Sequence, residues 1–147
     1  LSNGQHDNFM IDKIIIYTDG GARGNPGPAA IGVAIFDVAN THQPIKTFGK
    51  YLGETTNNQA EYRALLAGLG LAQKLGARHV VCYLDSELVV KQLTGSYKIR
   101  EEGLKDLAMD VIRAKNNFDQ VEFKHVPREK NKLADQLVNE ALDNAGF

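Results

Sequence analysis

Four acidic residues, Asp19, Glu61, Asp85 and Asp135, offer the most distinctive chemistry in this sequence. Asp19 and Asp85 each follow an apolar, strand-like run, Glu61 falls in the first turn of a long amphipathic segment, and Asp135 lies in the first turns of the last such segment. Carboxylates brought together repel, so some of them hold their protons unless a hard cation compensates. An all-oxygen donor set without a His or Cys cage suits Mg²⁺ or Mn²⁺, and two such ions can stabilise both the attacking and the departing oxygen of a phosphodiester. Each acid alone also has an ordinary role, as a turn former, a helix-terminal charge or a surface group. As a set at element ends, the four point to a metal site.

The elements that must gather them follow from periodicity. Residues 13–18 are β-branched and almost wholly apolar, as in a strand buried on both faces. The Gly- and Pro-rich stretch 20–28 reads as a turn, and residues 31–38 and 45–52 as two further strands joined in a hairpin. Residues 55–58 carry N-cap chemistry for a long helix that Gly76 stops. Residues 79–84 form a fourth strand, Ser86 caps a short helix closed by Gly95, and residues 102–116 form another helix. A fifth strand over 120–126 and a terminal helix over 130–144 complete the chain. This order predicts an α/β fold with a mixed sheet, its first three strands antiparallel and the last two added in parallel, with helices on both faces. If strands one and four are neighbours, Asp19 and Asp85 emerge together at the carboxyl edge.

With 147 residues, 43% of them apolar and 24% charged, the chain suits one domain over 11–147, and residues 1–10 read as a tail or expression leader. No apolar run is long enough for a membrane helix and the start lacks a secretory layout, so a cytoplasmic monomer without membrane association is expected. Cys82 lies inside an apolar run and reads as a small buried hydrophobe. The net charge of −1 hides two locally basic stretches, 91–100 and 124–132, because clustered acids cancel them in the sum.

Four blocks carry a family resemblance: Asp19-Gly-Gly-Ala-Arg-Gly-Asn-Pro-Gly-Pro28, Thr55-Thr-Asn-Asn-Gln-Ala-Glu61, Asp85-Ser-Glu87 and His125-Val-Pro-Arg-Glu-Lys-Asn-Lys-Leu-Ala-Asp135. Together, in this order, they resemble ribonuclease HI. The resemblance implies a ribonuclease H-like fold with strand order 3-2-1-4-5, and a site in which Asp19 bridges two Mg²⁺ (or Mn²⁺) ions, Asp135 completes one and Glu61 and Asp85 serve the other. It further implies hydrolysis of the RNA strand of an RNA–DNA hybrid by water, leaving 3′-hydroxyl and 5′-phosphate ends, with His125 on a mobile loop assisting proton movement or product release. Substrate contacts fall to Gly20, Gly21, Ala22, Asn25, Thr56, Asn57, Asn58 and Asn131, whose amides and hydroxyls suit minor-groove edges, 2′-hydroxyls and phosphates.

The sequence departs from the family in two places. Glu87 stands where many relatives have Gln, and it cannot donate a hydrogen bond. The basic, Trp-bearing protrusion of some members is missing between the middle helices, which leaves Lys91, Lys98, Arg100 and the 124–132 loop as replacement grips. A DNA nuclease of the same superfold and a non-catalytic hybrid-binding module are the alternative readings.

Overall fold

The computed structural model describes residues 11–147; the tail expected over 1–10 lies outside the described residues. The strands are β1 (Lys13–Ala22), β2 (Gly27–Asp37), β3 (Lys46–Thr55), β4 (His79–Leu84) and β5 (Gln120–His125). The helices are α1 (Asn57–Lys74), α2 (Glu87–Leu93), α3 (Glu102–Lys115) and α4 (Lys132–Asn144). The strands form one sheet in the order β3-β2-β1-β4-β5; β1–β2 and β2–β3 pair antiparallel, β1–β4 and β4–β5 parallel. This is the expected topology.

Side chains alternate across β1 and so assign its two faces. Ile14, Ile16 and Thr18 are fully buried against α1, where Gly68 lets the helix settle so closely that a Cβ there would lie 3.2 Å from Ile16 and 3.4 Å from Thr18. Tyr62, Leu65 and Leu69 of α1, with Leu104, Ala108 and Val111 of α3, close this larger core. Each fully buried Leu or Ile contributes roughly 2 kcal/mol to folding. Helix α4 packs on the other face, across β1, β2 and β3. Its approach depends on two glycines: a Cβ at Gly32 would sit 2.2 Å from the Ala134 carbonyl oxygen, and one at Gly49 3.0 Å from that of Leu137. Asp19 is the cross-strand partner of Gly32, so the close seat of α4 brings Asp135 toward Asp19.

Two local expectations are corrected. The stretch 20–28 is a turn only over residues 23–26; Gly20, Gly21 and Ala22 continue β1, in register with Ile31, Ala30 and Ala29. Sheet pairing overrides the turn preference of the glycines. The terminal helix begins at Lys132, because residues Arg128–Lys130 form a separate 3₁₀ turn after Pro127.

Candidate active site

Asp19 therefore lies within β1 and does not follow it, and Glu61 lies in the second turn of α1, since the helix starts at Asn57. Gly20 explains how the two meet. A Cβ there would fall 2.3 Å from the Ala60 carbonyl and 2.5 Å from the Glu61 nitrogen, so only glycine lets β1 press against this turn of α1. Across that contact the Gly20 amide donates to Glu61 Oε1 at 3.2 Å. Asp85, the first residue after β4, completes the group: carboxylate oxygens of Asp19, Glu61 and Asp85 lie within 4.8 Å of one another.

Desolvation and mutual repulsion act on this cluster together. Burial, then the charges of Asp85 and Asp135, push the Asp19 carboxyl up to about 7 from an ordinary 3.8, despite a compensating hydrogen bond with Glu61. Burial first, and the Asp19 charge second, raise Glu61 well above the carboxylate range. Glu61 Oε2 is buried with no hydrogen-bond partner. Three hard oxygen donors, two of them protonated more readily than usual and one with an unpartnered buried atom, fit a divalent cation that would relieve the repulsion and supply the missing partner.

Asp135 is half-buried and lines the same cleft, of about 310 Å³, but stands outside the close trio. Asn139, one turn further along α4, donates to the Asp135 carbonyl at 3.1 Å and also lines the cleft. The i,i+4 spacing of Asp135 and Asn139 is the sequence signal for this pairing. Asn131 is buried, and its amide donates to the Thr18 carbonyl at 2.9 Å and to Asp85 Oδ2 at 3.2 Å.

Beside the acids, the β1–β2 turn is locked to the start of α1. Asn57 Oδ1 accepts from the Ala22 amide at 2.8 Å, and Asn25 Oδ1 accepts from the Asn57 amide at 3.1 Å. Thr56 caps α1 through a hydrogen bond from the Gln59 amide to its hydroxyl, 3.2 Å. Asn57 and Asn58 line the cleft together with Gly20, Gly21 and Ala22. Arg23 and Arg128 also reach it; Arg23 is held to α4 by Asp143 at 2.8 Å and by Asn139 at 3.2 Å. Arg128 belongs to the 124–132 stretch expected to grip substrate, whereas Arg23 was not singled out from the sequence although it belongs to the first quoted block.

The remaining candidates lie elsewhere. His125 closes β5 in register with Leu84, exposed and outside the cleft lining, so it ends a strand and does not ride on a loop. Lys91 pairs with Glu87 at 3.1 Å and stands 5.0 Å over the Tyr97 ring, which gives Glu87 a local partner. Lys98 and Arg100 are exposed, and Glu102 pairs with Lys105 at 3.2 Å and not with either of them. No described helix is long and apolar enough to cross a membrane.

A mixed sheet ordered 3-2-1-4-5, with acids from β1, α1, the end of β4 and α4 around one edge, defines the ribonuclease H-like class of folds. Residues 17–141 match the family model described as reverse transcriptase-like. The ribonuclease H of Chromobacterium violaceum is 32% identical, over 90% of this chain and 97% of its own. LC11-RNase H1, solved in complex with an RNA/DNA hybrid, superposes with a TM-score of 0.84 at 47% identity, covering 90% of this chain and 98% of that one. The bifunctional protein Rv2228c of Mycobacterium tuberculosis is 40% identical over 90% of this chain, and the chain spans only 36% of that relative's length. The chain belongs to the ribonuclease H family.

Proposed function

We propose that this protein is an endonuclease that hydrolyses the RNA strand of RNA–DNA hybrids with two divalent metal ions, Mg²⁺ or Mn²⁺, leaving 3′-hydroxyl and 5′-phosphate ends. The observation that carries the reading is the convergence of Asp19, Glu61 and Asp85 within 4.8 Å of one another, beside the Asn25–Asn57 clamp. The hybrid seen in complex with LC11-RNase H1 supports the choice of substrate.

Asp19, Glu61, Asp85 and Asp135 would hold the ions. Bound there, the cations would offset charge on the phosphate and favour ionisation of the attacking water. The chain's own part is positioning and electrostatics. Gly20 and its amide fix Glu61 against Asp19, so the charge that must be neutralised is already assembled before substrate arrives. The cleft offers the backbone of residues 20–22 and the polar side chains of Asn57 and Asn58, with Thr56 next to them as the N-cap of α1, and these groups suit the 2′-hydroxyls and minor-groove edges by which RNA is told from DNA. Asn25 acts through Asn57, holding that edge in register. Arg23 and Arg128 supply positive charge at the cleft for phosphates, in place of a basic protrusion. His125, exposed at the end of β5 and one register step from Asp85, would exchange protons with solvent and with departing product.

The test is Asp19→Asn, which removes a charge from the centre of the acidic cluster while keeping the side-chain shape. It is expected to bind hybrid within a few-fold of the wild-type affinity and to lose cleavage by at least about 1,000-fold, a barrier increase of roughly 4 kcal/mol. A variant that still cleaves at a comparable rate removes Asp19 from the chemistry.

A further inference from the structure

Asn131 occupies the N-cap position of α4, where asparagine ordinarily accepts a hydrogen bond from the first turn. Here its side chain makes no capping bond. The side-chain nitrogen donates twice instead, to the Thr18 carbonyl at 2.9 Å and to Asp85 Oδ2 at 3.2 Å. The residue is 1% exposed, and its Oδ1 is buried without a hydrogen-bond partner. A polar side chain that forgoes helix capping and leaves one atom unsatisfied weakens the fold locally, and such sacrifices concentrate where function requires them.

The placement shows what is gained. The registered pairing of β1 with β4 ends at Tyr17 and Tyr83. Beyond it Thr18 leads into Asp19 on one strand, and Leu84 leads into Asp85 on the other. The planar amide of Asn131 spans this parting, with one N–H on the backbone beside Asp19 and the other on the Asp85 carboxylate itself. Its own carbonyl accepts from the Asp135 amide at 3.1 Å. One side chain and one peptide group thus join the carriers of three of the four acids.

We infer that Asn131 is a positioning residue for the acidic cluster: it fixes the rotamer of Asp85 and the β1–β4–α4 junction, and it does not touch the nucleic acid. A residue this buried has no surface to offer a duplex, so the sequence-based expectation of a substrate contact gives way to one of metal-site support. Hydrogen bonds to a ligating carboxylate commonly change metal affinity or activity by about 10–100-fold when removed. The inference rests on the nuclease reading only for the identity of the substrate, not for the metal site.

The experiment compares Mn²⁺ binding by calorimetry, on wild-type protein and Asn131→Ala, with KM for an RNA–DNA hybrid at saturating Mn²⁺. The expected result is Mn²⁺ affinity weaker by about 10–100-fold with hybrid KM changed less than threefold, and a parallel rise in the Mn²⁺ concentration needed for half-maximal cleavage. Unchanged Mn²⁺ affinity with a raised hybrid KM overturns the inference and restores a substrate contact. Should Asn131→Ala not fold, wild-type protein labelled at side-chain amides decides. The Asn131 amide protons are expected to be protected from exchange and to shift on Mg²⁺ titration; amide signals indifferent to Mg²⁺ overturn the inference. If wild-type protein binds Mn²⁺ but leaves the hybrid intact, the substrate reading fails while the calorimetric comparison still decides the role of Asn131.

Discussion

Replacing Asp19 by Asn should make the metal-free protein more stable at neutral and alkaline pH. Burial and the neighbouring acids raise this carboxyl from 3.8 to about 7, so the folded state resists its ionisation where the unfolded chain does not. The raised value sets the sign: the group's contribution to stability is fully present below pH 3.8 and is lost as pH rises through about 7. By pH 8 the rigid-site penalty is roughly 4 kcal/mol. Rearrangement among Asp85, Asp135 and entering water reduces this, so a gain of about 2 kcal/mol is expected from a neutral Asn, or about 5 °C in melting temperature for a domain of this size. The assay is thermal unfolding in EDTA from pH 4 to pH 8, read by circular dichroism. The variant should melt about 5 °C above wild type at pH 8, with the gap closing toward pH 4, and millimolar Mg²⁺ should raise the wild-type melting temperature more than the variant's. A variant equal to or less stable than wild type at pH 8 in EDTA would refute the claim that repulsion and burial strain this site.

Further predictions address how the site is held. Gly32→Ala should destabilise the protein by about 1–3 kcal/mol in urea unfolding, because its Cβ would meet the Ala134 carbonyl oxygen at 2.2 Å, and cleavage should fall as α4 and Asp135 are pushed outward. Asn57→Ala removes the acceptor for the Ala22 amide; hybrid KM should rise about tenfold, equivalent to roughly 1.4 kcal/mol, with kcat falling less, as steady-state kinetics would show. Cys82 is buried in the core and its thiol is pushed up to about 12 by that burial, so a thiol reagent at pH 8 should label it only on unfolding.

The sheet was legible in the sequence because each strand announces itself locally. The runs over residues 13–18 and 79–84 are mostly apolar, and 120–123 alternates polar and apolar residues, while the helices between the later strands leave only parallel crossovers. The carboxylates were legible for a related reason, since Asp19 and Asp85 sit where apolar runs end. What escaped was set by contacts between distant segments. Gly20 and Gly21 look like turn residues, yet they are β1 residues whose missing side chain at Gly20 admits α1. Gly32 and Gly49 look like weak points in strands, yet they seat α4. Asn131 looks like a polar loop residue offered to substrate, and only its neighbours Thr18 and Asp85, 113 and 46 positions away, make it an internal strut.

The central claim is that the acidic cluster cuts RNA paired with DNA. Its most direct test offers the purified protein an RNA–DNA hybrid and a matched DNA duplex, each strand labelled separately, with Mg²⁺, with Mn²⁺ and with EDTA. The expected result is internal cleavage of the RNA strand alone, in the presence of either metal, to products bearing 3′-hydroxyl and 5′-phosphate ends, and none in EDTA. Cleavage of the DNA duplex with the hybrid left intact, or cutting of RNA that persists in EDTA, would contradict it.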